Sequence, residues 1–476
     1  MADRRNTGNG NMSGRNAGNR NIENRDMKNT DRRERYEDNR AYDVRREERK
    51  RRRRRKQVTA YVMMLVLIGV LGVGGVAGGR LFGAWRELRK QESAKNESKV
   101  NELLESEEPL EISEPLPEET QVEETQTQEE KVDEIIDAAI EVMPLEDKVA
   151  GLFFVTPESI TGVTTAVQAG DGTKTALNQY AVGGIVYFSK NIQSGEQLSK
   201  MIENTILFSK YPIFIGVDEE GGNVSRIGGA GLAEKVDSAQ NIAATGDAAN
   251  AYQAGNTIGT YLKKLGFSVD FAPVADLANV ENSIMTGRAY GQDAATAIPY
   301  VTSMVNGLQE TGVSACLKHF PGVGSSAEDT HNGIAVSNRT AEEFRAEEFR
   351  VFQAGIEAGA QMVMVGHMAA PGLTGDNTPS SMSQEIVTNI LRNELGFDGV
   401  IITDAMNMGA ISQYYGSDEA AIQALKAGCD MVLMPEDFKT AYNGVLKAVE
   451  DGIISEERVN DSLRRIYQIK YADKLY

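Results

Sequence analysis

The sequence predicts an α/β protein whose main body is a single (β/α)8 barrel of the TIM type. Three observations support this prediction. Eight short apolar runs lie between residues 151 and 434, and helix-like segments separate most of them. Continuous apolar strands that alternate with helices are typical of a parallel sheet covered on both faces. Polar residues also follow five consecutive runs, and functional sites of such barrels lie at the carboxyl ends of the strands.

A disordered basic tail is predicted at the start of the chain. Residues 1–56 contain many Asn, Arg and Gly and few large apolar residues, so they cannot bury enough surface to fold. This tail holds 20 basic and 10 acidic side chains, a net charge of +10, whereas the whole chain carries −19. Residues 57–476 therefore carry −29, and such an acidic body argues against nucleic acid as a partner.

The segment 57–82 is predicted to be a transmembrane helix. No charged residue occurs from Gln57 to Gly79, which is long enough for a helix to cross a bilayer. The basic run Lys50–Lys56 before it predicts a cytoplasmic N-terminus and an extracellular body, that is, a single-pass protein of the cell membrane. A cleaved signal peptide is the alternative, because small residues lie at Val76–Gly78.

Residues 83–133 are predicted to form an acidic linker. Apolar residues are scattered there among Glu, Ser, Thr and Pro, which favours an extended, self-repelling chain. Globular character begins at about Glu134, so the barrel domain is expected to span 134–476. Cys316 and Cys429 lie in separate apolar runs and are expected to be core residues without a disulfide.

The eight apolar runs are the predicted strands of the barrel. They are Gly151–Val155, Gly183–Phe188, Ile213–Val217, Ser268–Val274, Val313–Leu317, Met362–Val365, Gly399–Ile402 and Met431–Met434. The helix-like segments are Gln197–Phe208, Ala248–Lys264, Ala294–Glu310, Ala341–Glu357, Gln384–Leu395 and Glu419–Lys426. An open, doubly wound sheet is the alternative architecture, but no glycine-rich nucleotide fingerprint follows the first strand.

Five consecutive predicted strands end in a polar group. These groups are Asp218, Asp276, Lys318 with His319, His367 and Asp404. Asp276 is open to two interpretations, a functional carboxylate or the cap of a following helix. Asp430 precedes its strand and is interpreted as structural.

The stretch Cys316–Val336 holds two of the three histidines of the chain. Lys318 and His319 are expected where the strand ends, and Asp329 and His331 on the loop beyond it. The Asp329 carboxylate lies two residues from His331, close enough to orient the imidazole and stabilise its charge. Such a pair is a proton donor and acceptor. The other interpretation is a polar loop with an incidental histidine.

The candidate residues as a set suit glycosyl transfer. They combine carboxylates, one activated histidine, a Lys–His pair and two arginines, Arg226 and Arg288. A serine nucleophile elbow, a P-loop and diagnostic metal-ligand spacing are absent from the sequence, so no cofactor and no metal are expected. A carboxylate, an acid/base and polar donors can support an oxocarbenium-like transition state.

The sequence resembles glycoside hydrolase family 3, and within it the β-N-acetylglucosaminidase (β-hexosaminidase) branch, over about residues 134–470. The resemblance rests on DEEGGNVSRI at 218–227, TGRAYGQD at 286–293, KHFPGVG at 318–324, EDTH at 328–331 and IITDAMNM at 401–408. It implies a barrel fold with Asp404 as nucleophile, His331 as acid/base and Asp329 as the partner of His331. It also implies that the sugar is bound by Asp218, Arg226, Arg288, Lys318 and His319.

Two stretches depart from the family pattern. A loop that often reads Gly-His-Gly-Asp-Thr is Gly-Val-Gly-Ser-Ser at 322–326, and Glu-Gly-Gly-Arg is Glu-Gly-Gly-Asn at 220–223. Many other family members carry a second domain that supplies a glutamate acid. This chain ends shortly after the eighth predicted strand, so the acid/base role is expected to fall to the loop histidine.

The expected function is that of a membrane-anchored, retaining exo-glycosidase. It would hydrolyse terminal β-linked N-acetylglucosamine in an amino-sugar glycan derived from the cell wall, through a covalent glycosyl-enzyme. Two alternatives stay open. A neutral histidine base does not repel phosphate, so a phosphorylase could use the same site. A decayed barrel that binds cell-wall glycan without catalysis is the other alternative.

Overall fold

The structure, a computed structural model, describes residues 128–331 and 333–472. The predicted tail 1–56, transmembrane helix 57–82 and most of the linker 83–133 lie outside the described residues and stay predictions. Within the described part of the chain, no helix has the length and apolar character needed to cross a membrane.

Eight parallel strands form one sheet, as the sequence predicts. In chain order they are β1 (Phe153–Val155), β2 (Gly184–Val186), β3 (Phe214–Val217), β6 (Val269–Asp270), β7 (Ser314–Phe320), β8 (Met362–Val365), β9 (Val400–Thr403) and β10 (Val432–Leu433). Their order in the sheet is β10-β1-β2-β3-β6-β7-β8-β9. A parallel bridge between Ile402 and Met431 joins the two ends of this order, so the barrel-like α/β fold is confirmed. A small antiparallel hairpin of β4 (Glu219–Gly221) and β5 (Val224–Ser225) follows β3.

Helices precede the first strand, lie between successive strands and follow the last one. They are α1 (Gln128–Val142), α2 (Leu145–Ala150), α3 (Pro157–Thr161), α4 (Asp171–Gln179), α5 (Gly195–Phe208), α6 (Ala239–Ala244), α7 (Ala249–Leu265), α8 (Ala294–Glu310), α9 (Ala341–Ala346), α10 (Glu348–Glu357), α11 (Pro371–Thr374), a π-helix (Glu385–Glu394), α12 (Gly409–Ser412), α13 (Ser417–Ala427), α14 (Phe438–Glu450) and α15 (Glu456–Ala472). Every helix-like segment of the sequence overlaps one of them, and the segment 341–357 is divided in two at Glu347.

The aromatic ring of Phe154 fills the interior of the barrel. It lies 6.3 Å from the ring of Phe214 and 5.3 Å from that of Phe271. Glycines on β2 and β3 make room for it, because a Cβ at Gly184 or Gly216 would lie 2.5 or 2.7 Å from its ring atoms. Because protein cores are close-packed, this interior holds the carboxyl ends of the strands in fixed positions.

The first described helix begins ahead of the boundary that the sequence suggests at about Glu134. Helix α1 starts at Gln128. Ile136 and Ile140 are buried and Val132 is partly buried, which is the four-residue repeat of one apolar helix face. The last residues assigned to the linker therefore belong to a helix that packs on the domain.

Asp430 is structural, as interpreted from its position before a strand. Its buried carboxylate accepts hydrogen bonds from Arg392 Nη2 at 2.7 Å, Arg465 Nη1 at 3.1 Å and Ser462 Oγ at 2.7 Å. Cys316 and Cys429 are free and buried, again as expected.

Candidate active site

A cavity of about 360 Å3 lies at the carboxyl ends of the strands. It is lined by seven of the eight predicted site residues, namely Asp218, Arg226, Arg288, Lys318, His319, His331 and Asp404. The eighth, Asp329, contacts His331 from behind. A cavity of this size falls in the range of small-molecule sites, roughly 300–1,000 Å3.

Charged side chains of alternating sign form one side of this cavity, which we call the charged wall (Arg226, Asp218, Lys318, Glu220 and Arg288). The Lys318 ammonium lies 2.8 Å from Asp218 Oδ1 and 2.7 Å from Glu220 Oε1. Arg288 donates two hydrogen bonds to Glu220, from Nε at 2.8 Å and from Nη2 at 2.7 Å. Arg226 Nη2 lies 3.7 Å from Asp218 Oδ2. Each side chain is therefore held by at least one opposite charge.

Burial and pairing act in opposite directions on this wall. Burial alone raises the pKa of Glu220, but the charges of Lys318 and Arg288 lower that pKa to about 2. Burial lowers the pKa of Lys318, and the charges of Asp218 and Glu220 raise it above its usual range. Glu220 and Lys318 are consequently both charged at neutral pH, although their side chains are only 6% and 2% exposed.

Glu220 is a site residue that the sequence analysis missed. It lies two positions from Asp218, and side chains two apart on an extended strand point to the same face. The triplet Asp-Glu-Glu was thus a usable signal: Asp218 and Glu220 face the cavity, and Glu219 between them faces away.

Glu219 holds the turn that presents Arg226. Its buried carboxylate accepts hydrogen bonds from the backbone N–H groups of Arg226 and Ile227 at 2.6 and 2.8 Å. It also accepts one from the Tyr261 hydroxyl at 2.8 Å. The Arg226 guanidinium then lies over the ring of Phe188, 5.8 Å from its centroid.

Strand β7 carries Lys318 and His319 within its length. The strand was expected to stop at Leu317, but it continues to Phe320 and buries both side chains. His319 Nδ1 lies 2.7 Å from Asp276 Oδ2. The Asp276 carboxylate also accepts the backbone N–H groups of His319 and Val323. Asp276 therefore orients His319 and also binds the first N–H of the short 3-10 turn Val323–Ser325, while it is not among the described residues that line the cavity.

Asp404 follows β9 and is half-buried. Its Oδ1 accepts the backbone N–H of Ala405 at 2.8 Å. Burial raises the pKa of Asp404, but His319 and the hydrogen bond from the Ala405 N–H lower it below its usual range. The carboxylate is therefore ionised at neutral pH, which is the state that a nucleophile needs.

His367 is buried directly behind Asp404. Its Nε2 donates a hydrogen bond to the carbonyl oxygen of Ala405 at 3.0 Å, and its Nδ1 lies 2.8 Å from Ser381 Oγ. A carbonyl only accepts, so Nε2 carries the proton and Nδ1 accepts the Ser381 hydroxyl. Burial also lowers the pKa of His367, against the raising effect of Asp404. The sequence placed His367 at a strand end, and the structure makes it a neutral support of the Asp404 segment.

His331 and Asp329 form the predicted pair. His331 Nδ1 lies 2.7 Å from Asp329 Oδ1, which also accepts the His331 backbone N–H at 2.9 Å. Burial raises the pKa of Asp329, but these hydrogen bonds lower it below its usual range. The His331 and Asp329 side chains are 69% and 41% exposed, so the pair is accessible to solvent. The His331 side chain also lines the cavity.

The stretch that departs from the family pattern packs beneath the loop. Val323, Ser325 and Ser326 are buried, and Ser325 Oγ donates to the Gly322 carbonyl at 2.7 Å. Neither Asn223 nor any residue of 322–326 is among the described residues that line the cavity. Nor do the described residues contain a group of three or more His, Cys, Asp or Glu side chains arranged to hold a metal.

Comparison with known proteins gives one consistent result. The family model "Glycosyl hydrolase family 3 N terminal domain" matches residues 144–469. The chain is similar to β-hexosaminidase A of Pseudoalteromonas piscicida, with 29% identity over 62% of this chain and 54% of that protein. It is also similar to β-hexosaminidase LpqI of Mycobacterium tuberculosis, with 32% identity over 65% of this chain and 80% of that protein.

Among solved structures the chain is similar to a glycoside hydrolase family 3 β-N-acetylglucosaminidase from Paenibacillus sp. str. FPU-7. The identity is 33% and the TM-score 0.64, and the match covers 70% of this chain and 63% of that one. The chain spans about half the length of the Pseudoalteromonas relative.

Proposed function

The chain belongs to glycosyl hydrolase family 3, and from that premise we propose that it is a retaining exo-glycosidase that hydrolyses terminal β-linked N-acetylglucosamine. One observation carries the proposal. A single cavity is lined both by the ionised carboxylate of Asp404 and by His331, whose imidazole is paired with Asp329. These groups are a nucleophile and an acid/base, the two functions that a double displacement requires.

In the proposed first step Asp404 attacks the anomeric carbon and forms a covalent glycosyl-enzyme. His331, as imidazolium, gives its proton to the departing glycosidic oxygen, and Asp329 stabilises the positive ring. In the second step a water attacks the anomeric carbon and releases the Asp404 carboxylate. Neutral His331 accepts the proton of that water.

The charged wall is proposed to bind the terminal sugar. Its groups are fixed by one another before the sugar arrives, so little ordering is needed when hydroxyl groups replace water. Lys318 and Arg226 offer donors to the cavity, and Asp218 offers an acceptor. His319, oriented by Asp276, offers a ring nitrogen in a defined direction. A site that holds one terminal residue in this way supports exo-cleavage.

The segment 57–82 is proposed to anchor the protein in the cell membrane, with the barrel outside and cell-wall amino-sugar glycans as its substrates. The support is the charge-free run and its basic flank. Protease added to intact cells should remove the barrel and spare the tail 1–56. A soluble mature protein that begins near Arg80 would instead indicate a cleaved signal peptide.

Phosphorolysis is the second candidate function. The observation that favours it is the use of an exposed histidine in place of a carboxylate as base, since a neutral base does not repel phosphate. The non-catalytic alternative is disfavoured, because the departures from the family pattern are not among the described residues that line the cavity, and the cavity keeps its acid/base and carboxylate groups.

The test uses the purified full-length chain with N,N′-diacetylchitobiose and a nitrophenyl β-N-acetylglucosaminide. We expect both to be cleaved, with the β-anomer as the first product. Addition of phosphate separates the two activities, since a phosphorylase would release N-acetylglucosamine 1-phosphate. Absence of turnover on both substrates, with and without phosphate, would contradict an enzymatic function.

A further inference from the structure

The loop that carries His331 rests on the segment that follows Asp404. The backbone N–H of Ala410 donates to the carbonyl oxygen of Thr330 at 3.0 Å. One residue earlier, the backbone of Gly409 approaches the loop so closely that a Cβ there would lie 2.5 Å from the carbonyl oxygen of His331. Gly409 and Ala410 are buried at the first turn of α12. Both contacts are made by backbone atoms.

The same short segment also holds Asp404. The Ala405 N–H bonds to Asp404 Oδ1, and His367 holds the Ala405 carbonyl from beneath. The stretch Asp404–Ala410 therefore begins at the proposed nucleophile and ends at the residue whose N–H binds the loop of His331. The relative position of Asp404 and His331 is fixed across seven residues, although the two belong to different loops.

We propose that Gly409 is a positioning residue, which acts through the His331 backbone and sets the distance of the imidazole from the reacting bond. The inference rests on the proposed function, in which His331 is the acid/base. Ordinary contacts of a Cβ begin at 3.4 Å, so a methyl group at Gly409 requires the His331 backbone and the segment that carries Gly409 to separate by about 1 Å. Proton transfer needs a donor within about 2.6–3.2 Å of its acceptor, so a shift of this size takes the imidazole out of reach.

Gly409→Ala in the full-length chain tests the proposal. A matched control is Gly195→Ala, because Gly195 is also the first residue of a helix and a Cβ there meets nothing within 4 Å. For Gly409→Ala we expect kcat/KM on diacetylchitobiose to fall roughly 10- to 100-fold, the scale of a 1 Å misplacement. On the nitrophenyl glycoside the first step should be nearly unchanged, because that leaving group needs no proton. Gly195→Ala should match the wild type on both substrates.

The second step gives an independent readout. Water needs a base, so Gly409→Ala should release a burst of nitrophenol and then slow down at the glycosyl-enzyme. Azide needs no deprotonation, so it should attack the anomeric carbon, displace the Asp404 carboxylate and restore the rate as glycosyl azide forms. A merely structural role for Gly409 would not produce azide rescue.

Ala410→Pro is a second variant. It removes the hydrogen bond from the Ala410 N–H to the Thr330 carbonyl, whereas Gly409→Ala adds a methyl group. Proline lacks the N–H that binds the Thr330 carbonyl, and the first turn of a helix tolerates proline. It should show the same preference for the nitrophenyl substrate, and thermal unfolding of both variants checks that they fold. If Gly409→Ala does not fold, Ala410→Pro decides.

The role of Gly409 would be overturned if the variants cleaved both substrates at the wild-type rate. It would also be overturned if they lost activity equally on both substrates and azide did not restore it. Wild-type protein that turns over neither substrate would overturn the proposed function, and this inference with it. The two failures are distinguished by the wild-type assay alone.

Discussion

The charged wall and the His331 loop are built in opposite ways. In the wall, the Lys318 and Glu220 side chains are 2% and 6% exposed, and each is held by two charge partners. In the loop, the His331 side chain is 69% exposed and bonds to one carboxylate. Both regions line the same cavity.

The difference follows from what each region does in the proposed cycle. Wall groups keep one charge throughout, so burial does no harm once each charge is paired. His331 has to gain and lose a proton in every turnover, and a buried site would favour one of its two states strongly. Burying a charge is costly, so the wall pairs each of its charges, whereas the acid/base stays exposed to solvent.

The largest expected effect is on the nucleophile, which lies between the two regions. Asp404→Asn keeps the size of the side chain but removes the negative charge, so turnover should fall by roughly 10³-fold or more on every substrate. The free energy of unfolding should change little, which urea titration measures alongside the rate. A loss of only a few-fold would mean that Asp404 holds backbone and that another carboxylate attacks.

His331→Ala should separate substrates by leaving group. General acid catalysis is worth about 10²–10⁴-fold, so the loss on diacetylchitobiose should exceed that on the nitrophenyl glycoside by a factor of this order. The nitrophenyl reaction should stall after a burst, and azide should relieve the stall. Equal losses without rescue would assign His331 to sugar binding, and Glu328 would be the next candidate for the proton donor.

Glu220→Gln should damage stability where the loop variants do not. It leaves the buried Lys318 and the half-buried Arg288 with one compensating charge fewer, and breaking a buried pair costs about 3–5 kcal/mol of unfolding free energy. Urea denaturation measures the loss. A loss below about 1 kcal/mol would contradict this, because it would show that the ion pairs of the wall contribute no more to stability than exposed ion pairs do.

Acid should remove the same stabilisation from the wild type. The pKa of Glu220 is about 2 in the folded chain against an ordinary 4.5, so its contribution is complete above pH 4.5 and disappears as the pH falls towards 2. The stability gap between wild type and Glu220→Gln should therefore shrink by about 2 kcal/mol from pH 6 to pH 3. Urea titrations of both proteins at the two pH values measure it, and a constant gap would contradict the low pKa.

The smallest expected effect is on the stability of the exposed pair. Asp329→Asn removes an ion pair in solvent, so the free energy of unfolding should change by less than about 1 kcal/mol. Its kinetic pattern should be a weaker copy of that of His331→Ala, because Asp329 only orients and charges the ring. A large loss of stability would mean that the loop depends on the pair for its fold.

The barrel could be predicted from the sequence because each strand is a continuous apolar run between breakers. The site residues could be predicted because they follow those runs or lie in recognisable motifs. Glu220 was missed because its role depends on which face of the hairpin β4–β5 points to the cavity. The support by His367 and the contact at Gly409 depend on backbone carbonyls far apart in the chain, and no local pattern encodes such contacts.

The early start of helix α1 could not be predicted for a related reason. Composition made residues 128–133 look like linker, but Val132 belongs to the apolar repeat of α1. Prediction of the tail, the transmembrane helix and the membrane location rests on composition alone, and these stay predictions.

The ring of Phe154 and the two glycines beside it have a consequence for how the family can vary. Phe154 occupies the space that side chains at Gly184 and Gly216 would take, and it packs on Phe271 in the floor of the cavity. The three side chains share one space, so the volume of each limits the volume of the other two. Among relatives a smaller residue at the first position should accompany larger ones at the other two, so that the three positions covary and the depth of the cavity is inherited as one trait.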